Sequence, residues 1–126
     1  MLLIYLIGCF AIARAGHRQK AVLQEITLPR KLVENQTIRL NCDLLQGSRP
    51  IKFDWYFNDA PVKENDRLQI TYRDDMSSLM IKELSIEQLG SYKCVAANEH
   101  GRDQQTVAIY VSSKEELEFE YENANC

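Results

Sequence analysis

Two cysteines fall on the apolar parity of two different alternating runs, and that placement constrains the fold more than any other feature of the sequence. From Ile38 the chain puts Ile38, Leu40, Cys42 and Leu44 on one side of an extended segment and Thr37, Arg39, Asn41 and Asp43 on the other. This is the two-residue period of a strand with one wet face. Tyr92, Cys94 and Ala96 alternate in the same way with Ser91, Lys93 and Val95, so both thiols point toward a core. Another run sets Ile51, Phe53, Trp55 and Phe57 against Lys52, Asp54, Tyr56 and Asn58, after the turn formers Gln46-Gly-Ser-Arg-Pro50. Leu79 and Ile81 mark a further strand, with Leu84 filling the core beyond it. The β-branched stretch Thr106 to Val111 closes the series after the hairpin turn Asn98-Glu-His-Gly101.

Short strands punctuated by turns, without an intervening amphipathic helix, predict an all-β sandwich of two sheets. Inward cysteines on different strands, with Trp55 following the first, suggest a Cys42–Cys94 bridge between the sheets and an indole packed against it. Closing so long a loop removes unfolded-state entropy worth about 4 kcal/mol, comparable to the whole stability of a small domain. Reduction is expected to unfold the domain or nearly so.

The bridge requires an oxidising compartment, and the amino terminus supplies a route to one. Met1 to Ala13 is apolar throughout and leads into Ala13-Arg14-Ala15, small residues with peptidase spacing, although no Lys or Arg precedes Arg14. The run is shorter than the roughly 20 residues a helix needs to cross a bilayer. It reads as a signal peptide over residues 1–15, followed by a leader over 16–24, a folded domain over 25–111 and an acidic tail or linker over 112–126. Cleavage would remove Cys9 and leave Cys42, Cys94 and Cys126, an odd number outside the cell. Cys126 then lacks an internal partner and is available to bridge two chains.

Length and charge narrow the function. A chain of 126 residues supports one core comfortably, and its formal charge of −3 lacks the overall basic character that neutralises nucleic-acid phosphates. Zinc sites use clustered Cys and His, whereas these cysteines are isolated and His17 and His100 are unpaired in sequence. No metal or other cofactor is expected. A nucleophile, a base and an orienting group cannot be assembled from the residues present, so no catalytic residue is assigned and an enzyme is the poorest reading.

Cys42, Trp55, Leu84 and the run Gly90-Ser-Tyr92-Lys-Cys94-Val-Ala96-Ala-Asn98-Glu-His-Gly101 resemble the immunoglobulin superfamily, and G-x-Y-x-C followed by A-x-N-x-x-G resembles its I-set domains. The likeness covers Ala21 to Val111 and implies a two-sheet Greek-key sandwich. It makes Trp55, Leu84 and Tyr92 structural core residues, with the Tyr92 hydroxyl bonded to backbone just upstream as a tyrosine corner. One departure concerns the acid that usually stands two before the glycine. Here it is Gln88, which removes the carboxylate that would pair with Arg67. Within the superfamily, Leu28-Pro-Arg-Lys-Leu-Val-Glu34, Ile51-Lys-Phe-Asp-Trp55-Tyr-Phe-Asn-Asp59 and Ser77-Ser-Leu-Met-Ile81 look most like domains of the Down syndrome cell adhesion molecule family of arthropods.

That resemblance implies an extracellular recognition module, a fragment of a cell-adhesion molecule that binds a like domain on an apposed cell in neuronal guidance. The alternative is a secreted soluble binder, such as a decoy, immune-recognition or growth-factor-binding protein. Tyr56 and Tyr110 are the outward aromatic candidates for partner contact. Asn35-Gln36-Thr37 is a glycosylation sequon at the turn before the strand of Cys42. In the tail, Leu117, Phe119 and Tyr121 alternate with glutamates while Ser112 and Ser113 head capping boxes, so strand and helix signals conflict. The segment is read as a mobile linker or as an acidic motif for a basic partner.

Overall fold

The alternation of polar and apolar residues becomes two facing sheets in the computed structural model, which describes residues 18–29 and 31–111. One sheet has the order β1 (Val22–Leu23), β2 (Ile38–Gln46), β6 (Met76–Ile81), β5 (Leu68–Tyr72). The other has the order β4 (Ala60–Pro61), β3 (Lys52–Phe57), β7 (Gly90–Asn98), β8 (Gly101–Ile109). All pairings are antiparallel. The chain crosses between sheets from β2 to β3, from β4 to β5 and from β6 to β7, the Greek-key pattern of an immunoglobulin-like sandwich. A short 3-10 turn at Ile86–Gln88 is the one helical element among the described residues.

The buried face follows the parity read from the sequence. Ile38, Leu40 and Cys42 from β2, Phe53 and Trp55 from β3, Leu79 and Ile81 from β6, and Tyr92, Cys94 and Ala96 from β7 are buried together. Leu84 is also fully buried; its backbone N–H donates to the Gln36 carbonyl and its carbonyl accepts from the Asn35 N–H, both at 2.8 Å. Cys42 and Cys94 are bonded across the sheets, with a sequence separation of 52. In the chain-entropy view a crosslink of that span is worth about 4 kcal/mol.

The sandwich begins earlier than residue 25. Val22–Leu23 pairs with the end of β2, and Ala21 and Leu23 are buried in the core, so part of the segment read as a leader belongs to the fold. Two glycines make room for it. A Cβ on Gly47 (φ +151°) would lie 2.9 Å from the Ala21 backbone, and one on Gly101 (φ +150°) would lie 2.9 Å from the Lys20 side chain. Residues 1–15, the tail from residue 112, and with it Cys126, lie outside the described residues.

Trp55 reveals a second link between the sheets. Its Nε1–H donates to Oγ of fully buried Ser77 at 2.9 Å, and the Ser77 hydroxyl donates to the Thr71 carbonyl at 2.9 Å. Trp55 stands opposite Cys94 within one sheet, and Ser77 stands opposite Cys42 within the other. The disulfide, the two register pairs and this hydrogen bond therefore close a ring. Ser77→Ala removes the partner of a buried indole N–H and of a strand carbonyl. It is expected to destabilise the protein by about 1–3 kcal/mol in urea denaturation, with a shift in the Trp55 fluorescence of the native state. An unchanged urea midpoint would show that the indole N–H is satisfied in another way.

Candidate functional site

A binding sandwich offers its outer faces and its loop poles, and the buried residues decide what those surfaces can present. Tyr92 packs its ring 4.7 Å from Phe57 and donates its hydroxyl to the Gln88 carbonyl at 2.6 Å. This is the tyrosine corner, and burial pushes the hydroxyl pKa up to about 12. Gln88 is itself buried and accepts from the Ser85 N–H at 3.0 Å. Arg67 donates to the Glu83 carbonyl at 3.3 Å, so it contacts backbone where the family's acid would have offered a carboxylate.

Tyr56 lies on the outer face of β3, half-buried, with the Lys93 ammonium 5.0 Å from its ring centroid. Asp59 sits 3.7 Å from the same ammonium. Its aromatic face is already engaged by a cation, so it is a less open contact than the sequence implied. Tyr110 is 65% exposed. Sequence reading passed over other exposed apolar side chains, including Leu45 on the outer parity of β2 and Ile86, which is 79% exposed on the 3-10 turn. Leu45 interrupts an otherwise alternating run as the outward residue of Leu44-Leu45, a signal visible in the pattern. Ile86 carries no such signal, because a single apolar residue in a short turn has no period to break.

Asn35 is exposed in a turn with φ +67°, its backbone N–H held by the Leu84 carbonyl. The Thr37 hydroxyl of the same triplet accepts from the Glu83 N–H at 3.4 Å. The side chain of Asn35 therefore faces solvent at the end of the sandwich that holds Leu84, away from the loop between β2 and β3. No group of three or more His, Cys, Asp or Glu among the described residues is placed to hold a metal.

The pole at the other end gathers the β2–β3 loop, the β5–β6 turn, the β7–β8 hairpin and residues 18–20. Gln19 and Ser48 bond each other twice, main chain to main chain and N–H to hydroxyl, both at 2.9 Å. The Asn98 side-chain amide donates to the carbonyls of Gln19 at 2.8 Å and Ser48 at 2.9 Å. An open cleft of about 420 Å³ lies between the loops, lined by Arg49, Pro50, Ile51, Arg73 and Asp74. Near it, Tyr72 has a pKa raised by partial burial first and by the Glu64 and Asp54 carboxylates second.

Comparison with known proteins agrees with this architecture. The immunoglobulin I-set domain family matches residues 21–111. The chain is 30% identical over 79 residues to a fibroblast growth factor receptor of Ciona intestinalis, covering 62% of this chain and 10% of that protein. It is 32% identical over 91 residues to the muscle M-line assembly protein unc-89 of Caenorhabditis elegans, covering 69% of this chain and 1% of that one. The chain thus spans a tenth or less of the length of these two relatives. Among solved structures, the Dscam1 Ig7 domain, isoform 5, superposes with a TM-score of 0.69 at 21% identity, covering 74% of this chain and 97% of that domain.

The raised Tyr92 pKa sets an alkaline limit. Because the folded value of about 12 exceeds the ordinary value of 10.0, the protonated hydroxyl contributes stability that is complete below pH of about 10 and is lost as pH rises toward about 12. Thermal midpoints should fall through that window, and in Tyr92→Phe the fall should be shallower. Equal alkaline slopes in the two proteins would remove Tyr92 as the cause.

Proposed function

Starting from the premise that this chain belongs to the immunoglobulin I-set family, we propose that it is an extracellular recognition module of a cell-adhesion molecule. Its partner in this reading is a like domain on an apposed cell, and its setting is axon or dendrite guidance. The observation that carries the proposal is the combination of a buried disulfide with exposed apolar and aromatic side chains, Val33, Leu45, Tyr72, Ile86 and Tyr110, on the surface of the sandwich. A buried disulfide favours an oxidising compartment, and isolated apolar anchors in a polar surround are the material of protein contacts. The likeness to a Dscam1 domain supports the fold that such adhesion uses. In this proposal residues 1–15 are a signal peptide, Asn35 carries a glycan, and Cys126 joins two copies outside the cell. None of these roles calls for a cofactor.

The glycan and the bridge are read on one gel of the secreted protein. Deglycosylation should lower the mass of the wild type and leave Asn35→Gln unchanged, and reductant should halve the mass of a dimer that Cys126→Ser lacks. A single mass under all treatments would remove both features.

Homophilic binding is tested with beads coated with the full chain. Coated beads should aggregate with each other and disperse when excess soluble chain is added. Beads that remain single while binding to cells would overturn the like-to-like partner and favour the soluble-binder reading.

A further inference from the structure

The chain's two histidines, His17 and His100, are far apart in sequence, and the fold brings their segments to one pole. Gln19 is held there by its two hydrogen bonds with Ser48, and its carbonyl also accepts from the Asn98 side-chain amide at 2.8 Å. The oxygen of that same amide accepts from the His100 N–H at 3.0 Å. One side chain thus ties the amino-terminal segment to the β7–β8 hairpin. Lys20 packs against the hairpin as well, where a Cβ on Gly101 would lie 2.9 Å from its side chain. His17 precedes Gln19 by two residues, which span at most about 7 Å. While the Gln19 bonds hold, chain length confines His17 to the neighbourhood of the hairpin.

The His100 ring has one nitrogen to spare. Its side chain is 27% exposed, its Nε2 lies 3.3 Å from the Glu99 carboxylate, and its Nδ1 has no partner among the described residues. An imidazole with one nitrogen against a carboxylate and the other open is the arrangement in which metal-binding histidines are held. Among the described residues no three side chains of His, Cys, Asp or Glu converge on such a point, so the remaining donors have to come from elsewhere. Removal of residues 1–15 supplies them, because the new terminus is then Gly16-His17. Its α-amine, the amide nitrogen of His17 and the His17 Nδ1 can close a five-membered and a six-membered chelate ring on a single ion. Glycine at the first position leaves the amine unhindered.

We propose that Gly16, His17 and His100 form a copper(II) site at this pole, with three nitrogens from the terminus and the fourth from His100 Nδ1. The proposal rests on the signal-peptide reading of residues 1–15 and is independent of the like-to-like partner. Four nitrogens in a plane suit copper(II), which also binds such donors more tightly than the other divalent first-row ions. Coordination releases protons from the amine, the His17 amide and any protonated imidazole to the solvent, and no electron is transferred. The charges nearby are of both signs, Arg18, Lys20 and Arg102 with Glu99 and Asp103, so no single-sign field repels the ion.

The test begins with the mass of the secreted full chain, which should show Gly16 as its first residue. An uncleaved chain, or one cut elsewhere, would overturn the site together with the assignment of residues 1–15. Copper(II) chloride is then titrated into the folded, disulfide-bonded protein and followed by visible absorption and electron paramagnetic resonance. One equivalent should bind, with the signal of four nitrogen donors. His17→Ala should weaken binding at least about a hundredfold, and His100→Ala about tenfold with the signal of three nitrogens from the protein. A peptide of residues 16–20 lacks His100 and should bind as His100→Ala does. Thermal melts verify that each variant is folded, and the peptide keeps the comparison if one is not. A chain that begins at Gly16 but binds copper no better than the peptide would overturn the site and leave the signal peptide intact. Equal affinity for zinc chloride would show that no amide nitrogen takes part, and would overturn it as well.

Discussion

A closed ring of four residues holds the two sheets at a fixed spacing and level. Cys42 and Cys94 are joined covalently, Cys94 stands opposite Trp55, the Trp55 indole donates to Ser77, and Ser77 stands opposite Cys42. Each member depends on strand register, because a slip by one residue would turn its side chain to the solvent face. The disulfide limits the unfolded chain, whereas the indole acts in the folded state by filling the space beside the sulfurs while its one polar group is satisfied. Left unpaired in this interior, that N–H would cost about 1–3 kcal/mol. The polar bond thus makes possible the burial of the largest side chain next to the bridge.

The amino-terminal segment is secured by a different kind of chemistry. Its ties are hydrogen bonds: Gln19 to Ser48, Asn98 to both, and the Leu23 N–H to the charged Asp103 carboxylate at 2.8 Å, with Ala21 and Leu23 buried beneath. Backbone hydrogen bonds and a small apolar contact bring Arg18 and Lys20 beside Arg49 and Arg102. Like charges in proximity repel, but the cost is small for exposed groups in salt water. Groups of both signs, Arg102 and Asp103 among them, therefore meet at this pole because hydrogen bonds and burial position its strands.

The sequence carried the parts of this fold that repeat. β2, β3 and β7 have enough residues for alternation to show, and every buried position among Leu40, Cys42, Phe53, Trp55, Tyr92 and Cys94 follows from parity. What was not legible had too little length or the wrong residue type. Val22–Leu23 and Ala60–Pro61 are two residues each and cannot display a period. β5 is an edge strand with exposed Gln69, Thr71 and Tyr72, so its apolar side is incomplete. Ser77 lies on the inward parity of β6 but is polar, and nothing in the sequence pairs it with an indole 22 residues away. The Asn58-Asp59 turn did leave a trace: both residues adopt positive φ, at +47° and +68°, and both belong to the types that tolerate it in a two-residue hairpin.

Charge shows the same contrast between sum and arrangement. A formal charge of −3 argues against a chain that coats a polyanion with its whole surface. It does not describe the field at one pole. β8 runs the length of the sandwich from Gly101 to Ile109, about 27 Å at the usual rise, while the screening length at physiological salt is about 8 Å. Acids at the far end, such as Glu34 and Glu87, lie about three screening lengths away, so the field at the cleft is set by the nearby groups of both signs, Arg49, Arg73 and Asp74, that line it. Because parity fixes only the inward residues, the loops at each end are free to differ in charge without any cost to the core. Two domains with the same interior can then recognise unrelated partners, which is why the fold alone leaves the ligand open.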